Sequence, residues 1–270
     1  MAQDKVPAII PCKEAWMAND GAIIKSNDVT KAFDDFVAVN GVNCAVKENE
    51  TLGIIGPNGA GKTTFLNLLT GYYIPDSGSI FYQNQDITAL PPEERVSRGI
   101  VRTFQIAHVF DNLTVYDHIA LSLFPKQKKD HLIRKLLFSH LKKDKNIYER
   151  AEEVIDIFNL GNVAYDTVGD LALGSKRRLE VAMALAVDPV VLALDEPFSG
   201  LNESEIEDLL VVLVEHVHTK TVLIVEHKIS KLEGFVDRLA VLHQGSIVAD
   251  GKPEETLEDP RVQEVYWNIA

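Results

Sequence analysis

Gly56-Pro57-Asn58-Gly59-Ala60-Gly61-Lys62-Thr63-Thr64 is the stretch on which the reading of the chain turns. It follows an apolar run, Leu52-Gly53-Ile54-Ile55, with the pattern of a buried strand. It precedes Phe65-Leu66-Asn67-Leu68-Leu69, which reads as the start of a helix. This is the spacing G-x-x-x-x-G-K-[ST] in the strand–loop–helix setting that a phosphate-cradling loop requires. Glycines let the backbone turn tightly enough for its N–H groups to point at phosphate oxygens. The helix N-terminus adds its partial positive charge. Lys62 is expected to reach the β- and γ-phosphates, and the Thr63 hydroxyl to bind Mg²⁺.

The 270 residues suffice for one large domain, or a core with a subdomain. Hydrophobic residues make up 46% and charged residues 25%, an ordinary globular balance. No apolar run approaches the ~18 residues needed to cross a bilayer, and residues 1–20 lack the basic start and long apolar core of a secretion signal. Cys12 and Cys44 form no metal-ligand spacing. So few cysteines argue against a disulfide framework and fit a reducing cytoplasm. The formal net charge of −13 weighs against a nucleic-acid-binding surface, which needs clustered Lys and Arg. One local exception is the run 126–150, with nine Lys/Arg and three acids. It reads either as a solvated helix face or as a surface facing anionic lipid or a membrane partner.

Taken in order, residues 1–20 read as a mobile extension without periodicity. Short β-type runs follow at Ala22–Ile24, Val37–Val39 and Val42–Val46, with Asn40-Gly41 as a hairpin signal between the last two. After the loop come a helix stopping near Gly71, a strand at Ser79–Tyr82, and a helix start at Pro91-Pro92. Gly99–Gln105 reads as a strand ending in a polar residue. From 106 to 170 helical patterns dominate, with Val154, Ile155 and Phe158 on one face and Gly161 as the stop. Leu171–Ser175 is a loop into a helix that Asp188-Pro189 ends. Val190–Leu194 is an unbroken apolar run, the signature of a parallel strand covered on both faces, and Thr221–Val225 reads as another buried strand. Between them Ile206–Val217 is an amphipathic helix. A hairpin across His243-Gln244-Gly245 and a helical tail complete the chain.

The polar residues cluster at strand ends: Gln105, Asp195-Glu196 and Glu226-His227, beside the phosphate loop at the end of a fourth strand. Ligands of open α/β sheets bind outside the carboxyl ends of the strands, so these groups are expected to converge on one triphosphate. A carboxylate there costs several kcal/mol to desolvate unless a cation or donors stand nearby. Asp195 is therefore the expected Mg²⁺ anchor, direct or through water. Glu196 is expected to polarise the attacking water, and His227 to orient that water at the γ-phosphate.

With these residues in place, the chain from about residue 22 onward resembles the ATPase subunits of ABC transporters. In that resemblance Gly56–Thr64 is Walker A, Gln105 the Q-loop glutamine, Leu171–Ser175 the signature loop, and Val190–Glu196 Walker B with its catalytic glutamate. Ser199-Gly200-Leu201-Asn202 resembles the D-loop, His227 the switch histidine, and Phe33 the aromatic that stacks on adenine. The implied fold is α/β: a P-loop NTPase (ABC ATPase) core with an antiparallel β subdomain and an inserted α-helical subdomain. The implied division is an extension (1–20), core (21–105), helical subdomain (106–170), core again (171–252) and helical tail (253–270). The resemblance further implies that ATP and Mg²⁺ are bound, with Gln105 serving both the metal and catalysis. It implies that a second ABC ATPase subunit, identical or not, offers Gly174 and Ser175 to the nucleotide. The chain is then implied to sit peripherally on the cytoplasmic face of the cell membrane, where transmembrane permease subunits and, indirectly, a solute-binding protein complete the assembly. Here Ala172 and Ser175 replace the serine and glutamine of the common Leu-Ser-Gly-Gly-Gln, which removes one hydroxyl contact. The runs Val101-Arg102-Thr103-Phe104-Gln105, Leu171–Glu180 and Gly200-Leu201-Asn202 are most similar to ATPases that import branched-chain amino acids, urea or related amides. The competing readings are a lipopolysaccharide-export ATPase, a non-transport ABC ATPase, and a subunit that binds ATP but barely hydrolyses it.

Overall fold

The computed structural model describes residues 21–103, 111–123, 145–227, 231–232 and 234–267. The extension 1–20, Gln105 and most of the basic run lie outside the described residues. In chain order the elements are β1 (Ala22–Phe33), β2 (Phe36–Lys47), β3 (Thr51–Ile55), α1 (Lys62–Thr70), β4 (Ser77–Tyr82), β5 (Gln85–Asp86), α2 (Pro92–Ser97), β6 (Ile100–Arg102) and α3 (Val115–Ser122). They continue as α4 (Lys145–Ile157), α5 (Leu173–Ala186), β7 (Val191–Asp195), α6 (Glu203–Val217), β8 (Thr221–Val225), β9 (Arg238–His243), β10 (Ser246–Gly251), α7 (Pro253–Leu257) and α8 (Pro260–Trp267).

Six strands form one sheet in the order β10-β9-β3-β8-β7-β6, parallel except at the β10 edge. Four more form an antiparallel sheet, β2-β1-β4-β5. The unbroken apolar runs now have their cause. Successive residues of a strand point to opposite faces, and here each face has its own core. Leu52, Ile54, Val191, Ala193, Leu223 and Val225 join one buried cluster with Phe65, Leu66, Leu68 and Leu69 of α1 and residues of the antiparallel sheet. Ile55, Leu192, Leu194, Val222 and Ile224 join the other, with Leu179 of α5 and Ile206, Leu209 and Leu213 of α6. The second cluster runs on to Val115 and Ile119 of α3 and to Val154, Ile155 and Phe158. Both faces being dry, polar residues are confined to the strand ends, where Thr51 and Thr221 open β3 and β8.

Two local expectations are corrected. Asn40-Gly41 is not a hairpin turn: β2 runs straight through it, and the chain reverses at Asp34-Asp35, where Asp34 takes a φ of 51°. The pairs Val29↔Val42 and Lys31↔Val39 leave one extra residue on β2, a bulge. The Asn40 N–H leaves the ladder and donates to Gly245 O at 2.8 Å, so a tertiary partner overrides the local turn preference. Likewise α4 is ended by Asn159 at φ 52°, not by Gly161; asparagine tolerates the left-handed region.

Arg95 on α2 is fully buried. Its guanidinium donates to five carbonyl oxygens: Leu68 (2.8 Å) and Leu69 (2.9 Å) at the end of α1, and Ile87 (2.7 Å), Thr88 (3.1 Å) and Leu90 (3.0 Å). Helices leave their last carbonyls without intrahelical donors, and a cation there also suits the helix dipole. Burial pushes the guanidinium pKa down to about 10. A short surface helix thereby clamps the helix that follows the phosphate loop.

Candidate functional site

β3 delivers the chain to the loop at its carboxyl end, and α1 begins at Lys62. Gly61 has a φ of 101°, and a Cβ there would meet Ala38 O of β2 at 2.2 Å. The loop is braced from outside: Gly245 N–H donates to Ala60 O at 3.0 Å, and Asn40 ties to Gly245 in turn. Pro57, Gly61 and Thr64 are half-buried, Asn58, Gly59 and Thr63 exposed, and Gly56, Ala60 and Lys62 buried. Replacing Gly61 by Ala forces both strain and a backbone collision. Gly61→Ala is expected to weaken ATP binding at least about 10-fold, an effect of the ~1–3 kcal/mol such strain carries, read by titration with a fluorescent nucleotide.

Lys62 Nζ donates to Gly56 O (2.8 Å) and Pro57 O (3.1 Å), folded over the carbonyls of its own loop. Burial lowers its pKa, opposed by the charges of Glu196, Asp195 and Glu226. Thr63 Oγ1 donates to Asp195 Oδ1 at 3.3 Å, joining the loop to the end of β7. The Asp195 N–H donates to Thr103 Oγ1 at 3.2 Å.

Glu196 takes a φ of 48°, unusual for a residue with a side chain. Its N–H donates to Val225 O at 2.9 Å. Its Oε1 lies 2.5 Å from His227 Nε2. The conformation turns the carboxylate off the axis of β7 toward the end of β8. Beneath it Glu226 is buried, accepting from Phe198 N–H at 2.8 Å and from the His227 N–H at 3.1 Å. Burial raises the Glu226 pKa; those two amides oppose the rise.

The parallel sheet thus brings Lys62, Thr63, Asp195, Glu196 and His227 together at the carboxyl ends of β3, β7 and β8. Phe33 stands apart, at the end of β1, 39% exposed. Its ring meets Tyr73 edge-on at 5.2 Å, and Lys31 Nζ lies 5.7 Å from its centre. Gly174 and Ser175 open α5, whose N-cap, Ala172, makes no side-chain capping bond. Gly174 is buried under Glu205: a Cβ would meet Glu205 Oε1 at 2.2 Å. Glu205 also closes the capping box of α6 with Asn202.

Two further charged residues join this cluster: Arg102, to which the sequence alone assigns no role, and Glu226, which it places at the strand end without a task of its own. Arg102, at the end of β6, forms an ion pair with Asp195 at 2.6 Å and reaches Asn67 Oδ1 on α1. Glu226 anchors the turns that carry Glu196 and His227. The signal for both was a charge at the end of an apolar strand.

Residues 39–199 match the family model for ABC transporter. The chain is 35% identical over 256 residues to the high-affinity branched-chain amino acid transport ATP-binding protein BraF of Pseudomonas aeruginosa, covering 92% of this chain and 98% of that one. It is 35% identical over 252 residues to the corresponding Escherichia coli K12 protein, LivG, with the same two coverages. Among solved structures it resembles an ATP-binding cassette of an ABC transporter in its ADP conformation, with a TM-score of 0.79 and 30% identity over 91% of this chain and 98% of that one. A dimeric bacterial ABC transporter cassette follows at a TM-score of 0.74 and 26% identity, covering 85% and 98%.

Proposed function

The chain belongs to the ABC transporter family as an ATP-binding subunit that hydrolyses ATP, and from this membership we propose that it powers the import of branched-chain amino acids, urea or related small amides. The observation that carries the solute class is near-full-length similarity to relatives named for branched-chain amino acid transport, in bacteria and in Archaeoglobus fulgidus.

In the proposed mechanism, residues 56–64 wrap the β- and γ-phosphates of ATP. Lys62 exchanges its bonds to the Gly56 and Pro57 carbonyls for charge-assisted bonds to phosphate oxygens. Thr63 and Asp195 fit Mg²⁺: they present oxygen donors close together, and Mg²⁺ is commonly held by one carboxylate with the phosphates completing its shell. When bound, the ion neutralises charge developing on the phosphate oxygens. Glu196 takes the proton of the water that attacks the γ-phosphorus, and His227 holds the Glu196 carboxylate in place. Phe33 stacks on the adenine. Gln105, which lies outside the described residues, is the group that would link an occupied nucleotide site to the helical subdomain. A second ATPase subunit offers the N–H groups of Gly174 and Ser175 to the γ-phosphate. ATP favours the closed pair because those contacts exist only there. The pair sits peripherally on the cytoplasmic face and pushes on permease subunits served by a solute-binding protein. No helix among the described residues is long and apolar enough to cross a membrane.

The test is affinity purification of the tagged chain from membranes, with partners identified by mass spectrometry, beside uptake of labelled leucine, isoleucine and valine in a strain lacking the chain. Membrane permeases are expected to co-purify, and uptake at low solute concentration to fall several-fold. Uptake equal to wild type removes the solute class. Partners that lack membrane-spanning subunits remove the transport reading.

A further inference from the structure

Asp195 holds two partners on two different oxygens. Thr63 Oγ1 donates to Oδ1 at 3.3 Å, and Arg102 donates to Oδ2 at 2.6 Å. The Arg102 and Asp195 side chains are only 14% and 10% exposed, so this pair is not a solvated surface contact. The guanidinium has two further neighbours. Its other terminal nitrogen reaches Asn67 Oδ1, and its carbon lies 5.3 Å from the centre of the Tyr72 ring. Its Nε is buried with no hydrogen-bond partner among the described residues.

A carboxylate at the end of a dry strand is costly to leave unpaired. Arg102 supplies the cation from within the chain. A divalent cation at Thr63 and Asp195 draws on the same carboxylate, and two positive charges a few ångströms apart repel strongly in a partly buried site. Asn67 and the face of Tyr72 can keep the guanidinium when Asp195 lets go, since arginine binds both amide oxygens and aromatic faces well. Letting go also frees the buried Nε to find a partner.

We propose that Arg102 is a built-in counter-ion that competes with Mg²⁺ for Asp195 and so sets the metal affinity of the nucleotide site. The proposal rests on the reading of Asp195 as the metal anchor. Arg102 acts through Asp195 and is a positioning residue.

The test is a Mg²⁺ titration of nucleotide binding by the full chain, using a fluorescent ATP analogue at a fixed subsaturating concentration. Arg102→Gln is expected to lower the Mg²⁺ midpoint about 10-fold, which corresponds to ~1.4 kcal/mol. It is also expected to lower the melting temperature without Mg²⁺, and this deficit should shrink when Mg²⁺ and nucleotide are added. A midpoint that is unchanged or raised overturns the proposal. In the wild-type chain, the Arg102 side-chain NMR signal, assigned with Arg102→Lys, is expected to shift when Mg²⁺ joins bound nucleotide. A signal that does not move overturns the proposal even if Arg102→Gln fails to fold. Asp195→Asn separates the two readings. It is expected to raise the midpoint; if it does not, the assignment of Asp195 as the anchor fails. If it does while Arg102→Gln leaves the midpoint in place, only the role of Arg102 fails.

Discussion

Replacing Glu196 by Gln is expected to cut ATP turnover at least about 100-fold while nucleotide affinity stays near that of the wild type. The change is isosteric, so the two effects can part. The amide oxygen can still accept from His227 Nε2, whose distance to Glu196 Oε1 is 2.5 Å, and the backbone at φ 48° is untouched. The amide cannot take a proton from water. Binding depends on the loop, on Lys62 and on the metal ligands, none of which is altered. Because hydrolysis is what reopens the proposed pair, ATP should shift the variant toward a dimer that persists on size exclusion. Turnover within a few-fold of wild type would sink the assignment of Glu196. A loss of binding together with turnover would instead mean that the carboxylate holds the loop in shape.

The second large effect is on stability. Arg95→Met keeps most of the side-chain volume but leaves the five carbonyls of Leu68, Leu69, Ile87, Thr88 and Leu90 without their buried donor. Removing one member of a buried, charged hydrogen-bonding group costs ~3–5 kcal/mol. For a chain of this size that corresponds to a fall of about 10 °C in melting temperature. Arg95→Lys should fall between, because three donors on a point replace five in a planar fork. Differential scanning calorimetry would read both. A Met variant that melts within 2 °C or so of wild type would show that water satisfies these carbonyls instead. Since α1 starts at Lys62, fraying from its C-terminal end should also weaken nucleotide binding, by less than Gly61→Ala does.

What the sequence made legible follows a physical rule. Val191–Leu194 and Val222–Val225 were readable as strand interiors because two dry faces leave only apolar residues there; the one polar member of β8, Thr221, sits at its start and accepts from the Asn49 N–H. That Asp195, Glu196 and His227 meet at one edge was readable because polarity resumes abruptly where the sheet ends. The same signal placed Glu226 at a strand end, but its task, and that of Arg102, depends on neighbours in space. Arg102 matters because β6 lies beside β7, and nothing local to 100–102 announces that pairing. Arg95 looks like any arginine of a short exposed helix; only the approach of the α1 terminus makes it a buried clamp. Asn40-Gly41 carried a strong local signal that pointed the wrong way, because a partner 205 positions downstream claims the Asn40 N–H, as the pairing of Asn40 with Gly245 records.

That bulge also bears on which length changes the lineage of this chain can accept. The extra residue at 40–41 fixes the phase between the β1–β2 hairpin, which carries Phe33, and the brace through Gly245 to Ala60. Deleting it would slide one side of β2 by about 3.3 Å and turn its remaining side chains to the opposite face. The reversal at Asp34-Asp35 is under no such constraint of phase. Insertions and deletions should therefore persist at 34–35 and be purged at 40–41, although both dipeptides look equally loop-like on the page.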